Sequence, residues 1–397
     1  MKGPTAYAFF LAAFPGYFFY HVIKSTVQVP YIGWFSAVLI LCTAVWFLRW
    51  TVKMGAGARI HTTPLVTVPF WLMVFVMTSS IAINHILNDE SYIGREGLIA
   101  NSLAVIWLIG LFQIGRNLTI DKKATTFLAL LMTAAYAACA LYFSSENAGV
   151  MVMPLVDGDT AEAANYQGMA RSVMCSALII FPFIKNRTIK SLLTIITAAT
   201  LYKIGSRTEL ILFAATIPLF AIINYKLKIS YAIIITALVG SAALLISGYD
   251  VIGSIESFTS GDASLAERAI LFDVGIAGII DHPIQGDYLG QVRDFGATGF
   301  YIHNFLSAWQ QFGLLGFAIY TYLVLVTVKI GYNCLRSRLF DPHSEALIYL
   351  SVVSFIGILT TKPIFWPVPA LAWGLAARAL SAKAAAQKMH LKQRPAT

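Results

Sequence analysis

The sequence predicts an all-α polytopic membrane protein with about twelve transmembrane helices and one long polar loop. Three observations carry that prediction. Hydrophobic residues make up 58% of the 397 positions and charged residues only 12%, and the mean hydropathy is +0.72. Soluble globular chains do not have that composition. The apolar residues come in runs of about 17–22, the length that crosses a bilayer as a helix. Lysine and arginine, finally, are divided very unequally between alternate loops.

Taken in order, spans are expected at about 6–23, 30–48, 64–86, 97–115, 125–144, 167–184, 190–205, 208–224, 230–248, 303–330, 344–361 and 363–381. The first follows Met1-Lys2 closely. It lacks a small-x-small cleavage site, so it reads as a retained helix and not as a signal peptide. The seventh and eighth share one short joint at Gly205-Ser206-Arg207-Thr208. The whole chain, 1–397, reads as a single transmembrane domain with no internal repeat and no appended soluble domain.

Charge sets the expected orientation. Most of the 28 lysines and arginines fall on one set of alternate loops, Arg49, Lys53, Arg116, Lys185, Lys226 and Arg336 among them. Only Lys24, Arg95, Arg171, Lys203, Arg207, Arg268, Arg293 and Lys362 fall on the other. The positive-inside rule makes the first side cytoplasmic, with both termini on it, as an even number of spans requires. The net charge of +9 is then explained by short loops facing anionic membrane lipids, and a nucleic-acid partner is not expected. The opposite side is acidic, with Asp89, Glu90, Glu96, Glu146, Asp157, Asp159 and Glu162. Arg207 and Arg268 run against that background.

Two loops on the acidic side stand out, one at about 145–166 and the other at 249–302. The second is the longest polar stretch, and a loop of that length is usually functional or disordered. Ser264-Leu265-Ala266-Glu267 reads as a capping box that opens a helix running to about Ile280. Asp281-His282-Pro283 and Gly286 should stop it. Its broad apolar side suits a short amphipathic helix lying on the membrane surface or on the bundle, with Arg268 near the bilayer interface.

The candidate site residues are the ionisable groups beside the spans. A charge there is costly, which makes it a functional candidate by default. Arg207 is wedged between two apolar segments. Lys203, four residues earlier, shares its face if the helix continues, and two stacked cations repel unless an anion joins them. A diphosphate is such an anion, and a guanidinium grips it with two hydrogen bonds. The alternative is that Arg207 snorkels to headgroups or pairs with Glu209. Arg268 could bind headgroups or Asp273 instead. Arg171, after Asn165-Tyr166-Gln167-Gly168, and Lys362, before Pro363, could each bind phosphate or anchor the interface. His303, in Tyr301-Ile302-His303-Asn304, has a usable pKa for a general base, although most lone histidines at a helix start are structural.

Asp157-Gly158-Asp159 and Asn88-Asp89-Glu90 are too sparse in carboxylates for a convincing cation site. The 4 cysteines, Cys42, Cys139, Cys175 and Cys334, are isolated and give no disulfide or metal framework. No His-Glu-x-x-His, Walker loop or Gly-x-Ser-x-Gly occurs. Neither a metal nor a cofactor is expected.

These residues, in this order, resemble the O-antigen ligase and O-antigen polymerase superfamily. Arg207 in Gly-Ser-Arg-Thr resembles its Ser-Arg signature. Arg268, ahead of Pro283-Ile284-Gln285-Gly286, looks like its Arg…Pro-x-x-Gly segment. His303-Asn304 followed by Gly313-Leu314-Leu315-Gly316 is similar to its His-Asn/Ser…Gly-Leu-Leu-Gly element. The matching motifs cover roughly 165–316. The resemblance implies a GT-C-like, inverting, metal-independent glycosyltransferase of the bacterial inner membrane. It would take a glycan from undecaprenyl diphosphate on the periplasmic face. Arg207 and Arg268 would clamp the diphosphate, with Arg171, Lys362 and Lys203 as further contacts, and His303 would take the acceptor's proton. The acceptor is a lipid A–core sugar in ligases of lipopolysaccharide biosynthesis, and another lipid-linked repeat unit in polymerases. The compact chain with one long loop favours the ligase. A lipid-linked glycan flippase is the alternative from another class, but its polar residues would lie near the midplane.

Overall fold

The structure, a computed structural model, describes residues 3–27, 32–56, 63–87, 94–120, 122–144, 151, 165–228, 263–296, 301–338 and 340–392. Helix dominates throughout. The helices are α1 (Gly3–Ala13), α2 (Pro15–Val27), α3 (Trp34–Gly55), α4 (Pro64–Leu87), α5 (Gly94–Asn117), α6 (Lys122–Tyr142), α7 (Asn165–Ile180), α8 (Arg187–Ile204), α9 (Arg207–Ala214), α10 (Ile217–Tyr225), α11 (Ala263–Asp281), α12 (Gly290–Phe295), α13 (Ser307–Arg336), α14 (Pro342–Thr360) and α15 (Val368–Lys392). No strand occurs among the described residues. A lone bridge joins Ser144 to Met151.

Eight helices among the described residues are long and apolar enough to cross a membrane, counting α1–α2 and α9–α10 as one each. This is the make-up of a membrane-embedded α-helical protein. The expected count of about twelve is reached only in part. The expected span at 230–248 lies outside the described residues. The one at 167–184 is α7, only 16 residues long, followed by a 3-10 turn at Phe181–Phe183. The one at 190–205 is α8, diluted by Lys190 and the buried Thr194, Thr197 and Thr200. The last, expected from 363, begins only at Val368, because Pro363 and Pro367 hold the preceding turn open.

Burial sorts the spans. α14 is central, with 67% of its apolar window inside the protein, whereas α3 has 11% inside and turns its apolar side chains outward. An apolar outward face is what a helix in contact with lipid needs. α14 packs against α7, α9, α13 and α15, so both its ends stand among other helices.

The predicted loop helix is present as α11 and ends at Asp281, where the sequence stop signals place it. It begins at Ala263, two residues before the start that a Ser264 cap implies, and the side chains of that box lie outside the described residues. The rest of the described loop is held by backbone hydrogen bonds. Helix α13 breaks at Gly313, whose φ of 64° and ψ of −170° suit glycine and no L side chain. The break frees the amide of Leu314, which donates to the carbonyls of Pro283 and Ile284, each at 3.2 Å. Trp309 Nε1 donates to Pro283 O at 2.8 Å, and Asp287 N to Gln310 O at 2.6 Å. The buried amides of Gln310 and Gln311 accept from Ile302 N and Leu289 N. The Pro283-x-x-Gly286 turn and the Gly313-Leu-Leu-Gly316 element are therefore one interlocked joint.

Candidate functional site

The candidate site forms where α14 ends. The amides of Thr361 and Lys362 both donate to Gly357 O, at 2.9 and 2.8 Å, which curls the last turn inward. Ile364 N donates to Ser307 Oγ at 2.8 Å and ties this turn to the start of α13. There Asn304 Oδ1 accepts from Leu306 N at 2.9 Å, and this turn sets where α13 begins. His303 is thereby brought to the same end of the bundle as Lys362. The Tyr301 ring lies 5.6 Å from both the His303 ring and the Phe365 ring.

Lys362 is buried, at 7% exposure. Its Nζ lies 2.6 Å from Glu209 Oε1 and 5.8 Å from the centre of the Trp366 ring. Glu209 has no exposed surface at all. Its second oxygen accepts from Ser206 Oγ. Ser206 precedes α9 but makes no side-chain cap to it, because its hydroxyl serves Glu209 instead. A carboxylate in the first turn of a helix also gains from the partial positive charge there.

Further positive charge surrounds this pair. Burial holds the Lys362 ammonium below its usual pKa, Glu209 pulls it back up, and Arg171 and Arg268 push it down again. Both guanidinium groups are therefore within electrostatic reach of Lys362, one from α7 and the other from α11. Burial raises the Tyr301 pKa, and Arg171 opposes that rise, so Arg171 reaches Tyr301 as well. Arg171 Nε is buried with no hydrogen-bond partner. A buried guanidinium nitrogen in that state is an unmet demand for an acceptor. Lys362 thus holds one buried carboxylate with two further cations within its electrostatic reach, and an anion of charge about −2 would balance the surplus.

The structure rearranges the sequence expectations. Arg171 and Arg268 lie within electrostatic reach of Lys362, and His303 stands beside Tyr301, which Arg171 also reaches. Of the residues expected as further contacts, Lys362 holds Glu209 and Arg171 has the buried Nε. Arg207 is exposed and opens α9, two residues from Glu209. Lys203 is half-buried in the last turn of α8. The expected stacking of Lys203 on Arg207 is corrected, because the helix does not continue. Gly205 takes a left-handed conformation (φ 85°, ψ 6°) and Ser206 is extended, so the two cations belong to different helices. Glu209, which might have paired with Arg207, accepts from Lys362 and Ser206.

Ser206 and Tyr301 were not singled out as site residues from the sequence, and Glu209 was weighed only as a partner for Arg207. The available signal was Glu209 itself, the only acid in the apolar stretch 207–225. The two acidic motifs weighed as cation sites, at 88–90 and 157–159, lie outside the described residues. Among the described residues no group of His, Cys, Asp and Glu is arranged to hold a metal ion.

The chain matches no family model and no curated protein. Among solved structures it aligns with a peptidoglycan synthase complex, described for the structural coordination of polymerization and crosslinking. That alignment has 13% identity, a TM-score of 0.37, and covers 79% of this chain and 97% of that one. At such a score the likeness does not establish a shared fold.

Proposed function

We propose that the protein is a glycosyltransferase whose donor is a glycan carried on undecaprenyl diphosphate, and specifically an O-antigen ligase with a lipid A–core acceptor. The observation that carries this reading is the surplus of positive charge at one end of a membrane-embedded bundle. Arg171, Arg268 and Lys362 outnumber Glu209, and His303 stands next to them. The resemblance of the Arg207, Arg268 and His303 segments to the superfamily gives independent support.

In this mechanism the three cations hold the diphosphate and stabilise the charge that grows on it as it leaves. His303 accepts the proton of an acceptor hydroxyl. The hydroxyl oxygen forms a bond to the anomeric carbon while the bond from that carbon to the phosphate oxygen breaks. Attack opposite the leaving group inverts the centre. Undecaprenyl diphosphate departs, and the proton passes from His303 to solvent. Arg207 and Lys203 contact the donor further out. The enzyme would lie in the bacterial inner membrane, with both termini cytoplasmic and the site on the periplasmic side.

Transfer in vitro tests this. Purified protein is mixed with undecaprenyl-diphosphate glycan and lipid A–core in excess chelator. The expected result is glycan on core, with the rate lowered about 10²–10⁴-fold by His303→Ala. Lengthening of the glycan without core would replace the ligase with a polymerase. No product from active substrates would overturn the enzyme assignment, and lipid flipping would be measured next.

A further inference from the structure

The Glu209–Lys362 pair has no part in the mechanism above beyond the charge it contributes, yet its geometry is specific. An ammonium has three protons to donate. One points to Glu209 Oε1 at 2.6 Å. The other carboxylate oxygen is held by Ser206 Oγ, so Glu209 is fixed in place from the α9 side. Trp366 covers another flank of the Lys362 head. Glu209 is fully buried, while Lys362 retains a little exposure, so the cation is the member of the pair that reaches accessible surface.

We propose that Glu209 is a positioning residue for the anion site: it holds the Lys362 ammonium in place and charged from the inner side, and leaves the remaining ammonium protons to the donor's diphosphate. This rests on the glycosyltransferase reading above. A buried lysine readily loses its proton, and a neutral amine would not attract a phosphate. Three charged groups act on Lys362 from the elements around it. Glu209 on α9 favours the charged form, and Arg171 on α7 and Arg268 on α11 disfavour it. Tyr301 and His303 face the cluster from the segment before α13. Among the described residues, Glu209 is thus the carboxylate that opposes burial and two guanidinium groups at Lys362.

Donor binding should therefore be lost as pH rises through the lowered lysine pKa, and Glu209 should set where that loss begins. The test is equilibrium binding of a short-chain polyprenyl diphosphate carrying one sugar. Full-length protein in phosphatidylcholine nanodiscs is titrated across neutral to alkaline pH, so that no anionic headgroup competes. Glu209→Gln is expected to weaken binding about tenfold near neutrality. It is also expected to move the alkaline fall-off down by about one pH unit or more. Lys362→Arg keeps the charge at every pH, because a guanidinium does not deprotonate, so its fall-off should disappear. Adding it to Glu209→Gln should likewise remove the limb. A role confined to folding would not move a pH profile in these opposite directions.

A folded Glu209→Gln protein with wild-type affinity and pH profile would overturn the inference. Should Glu209→Gln not fold, Lys362→Arg decides alone, and a fall-off identical to wild type overturns it. Wild-type protein that does not bind the probe at all would overturn both this inference and the function on which it rests.

Discussion

Helix α14 has a buried ion pair at each end, and the two pairs are built differently. At its start Glu345 meets Lys190 of α8, with both carboxylate oxygens within 3.2 Å of the ammonium. Tyr349 OH donates to Glu345 at 2.7 Å, Asn224 Nδ2 at 3.2 Å, and Lys190 also donates to Asn224 Oδ1 at 2.9 Å. One ammonium meets one carboxylate in direct contact there, with Arg187, among the described residues, as the single further cation within electrostatic reach, and their hydrogen bonds are taken up by protein. Just past the other end, about 26 Å along the axis at the helical rise, Lys362 meets Glu209. There two more cations crowd in and a guanidinium nitrogen is left without an acceptor. A buried ion pair is therefore not in itself a site. Two guanidinium groups from other helices and the unmet donor mark one, and of these two pairs Glu209–Lys362 has them.

The largest effects come from breaking each pair. Lys190→Met should destabilise the protein by about 3–5 kcal/mol, because Glu345 is left buried without a countercharge. Donor binding by the folded fraction should be unchanged. Converting the pair together, Lys190→Met with Glu345→Gln, should recover most of that loss, since a neutral replacement of similar volume is often tolerated. Thermal unfolding in detergent reads both.

Lys362→Met reverses the pattern. It should cut donor binding about 10–100-fold, the worth of a charge-assisted contact. It should cost less stability than Lys190→Met, because removing the Lys362 charge also relieves its repulsion from Arg171 and Arg268. Equal destabilisation by the two variants would remove the distinction drawn here.

Gly313→Ala tests the joint that carries the loop to this end of the bundle. A Cβ there would lie 1.9 Å from Ile284 O, on a backbone with φ of 64°. About 1–3 kcal/mol of destabilisation is expected, with faster proteolysis after Asp281. The smallest effect is expected at Arg293, which pairs with Asp287 and Asp294 while its side chain remains 48% exposed. Arg293→Ala should change stability by less than about 1 kcal/mol.

Part of this was legible in the sequence, for physical reasons. Charges beside apolar runs are few, so Arg171, Arg268, Lys362 and His303 could be picked out one at a time. The loop helix was legible because its stop, Asp281-His282-Pro283, is local chemistry. The pairing of Glu209 with Lys362 was not, since 153 residues separate the partners and only packing unites them. The break at Gly205 was read as a joint that a helix might cross, because a lone glycine is tolerated within helices as well as at their ends. The short α7 and the threonine-rich α8 were read as full spans because hydropathy does not reveal where a helix stops. The docking of Pro283 and Ile284 onto the Gly313 break depends on backbone hydrogen bonds between distant segments, which no local pattern encodes.

The most direct test of the central claim is donor binding measured side by side for wild type, Lys362→Met and Lys190→Met in nanodiscs at neutral pH. The surplus-charge account predicts that Lys362→Met loses affinity for polyprenyl-diphosphate glycan while folded Lys190→Met keeps it. Equal affinity in both variants, or equal loss in both, would contradict it.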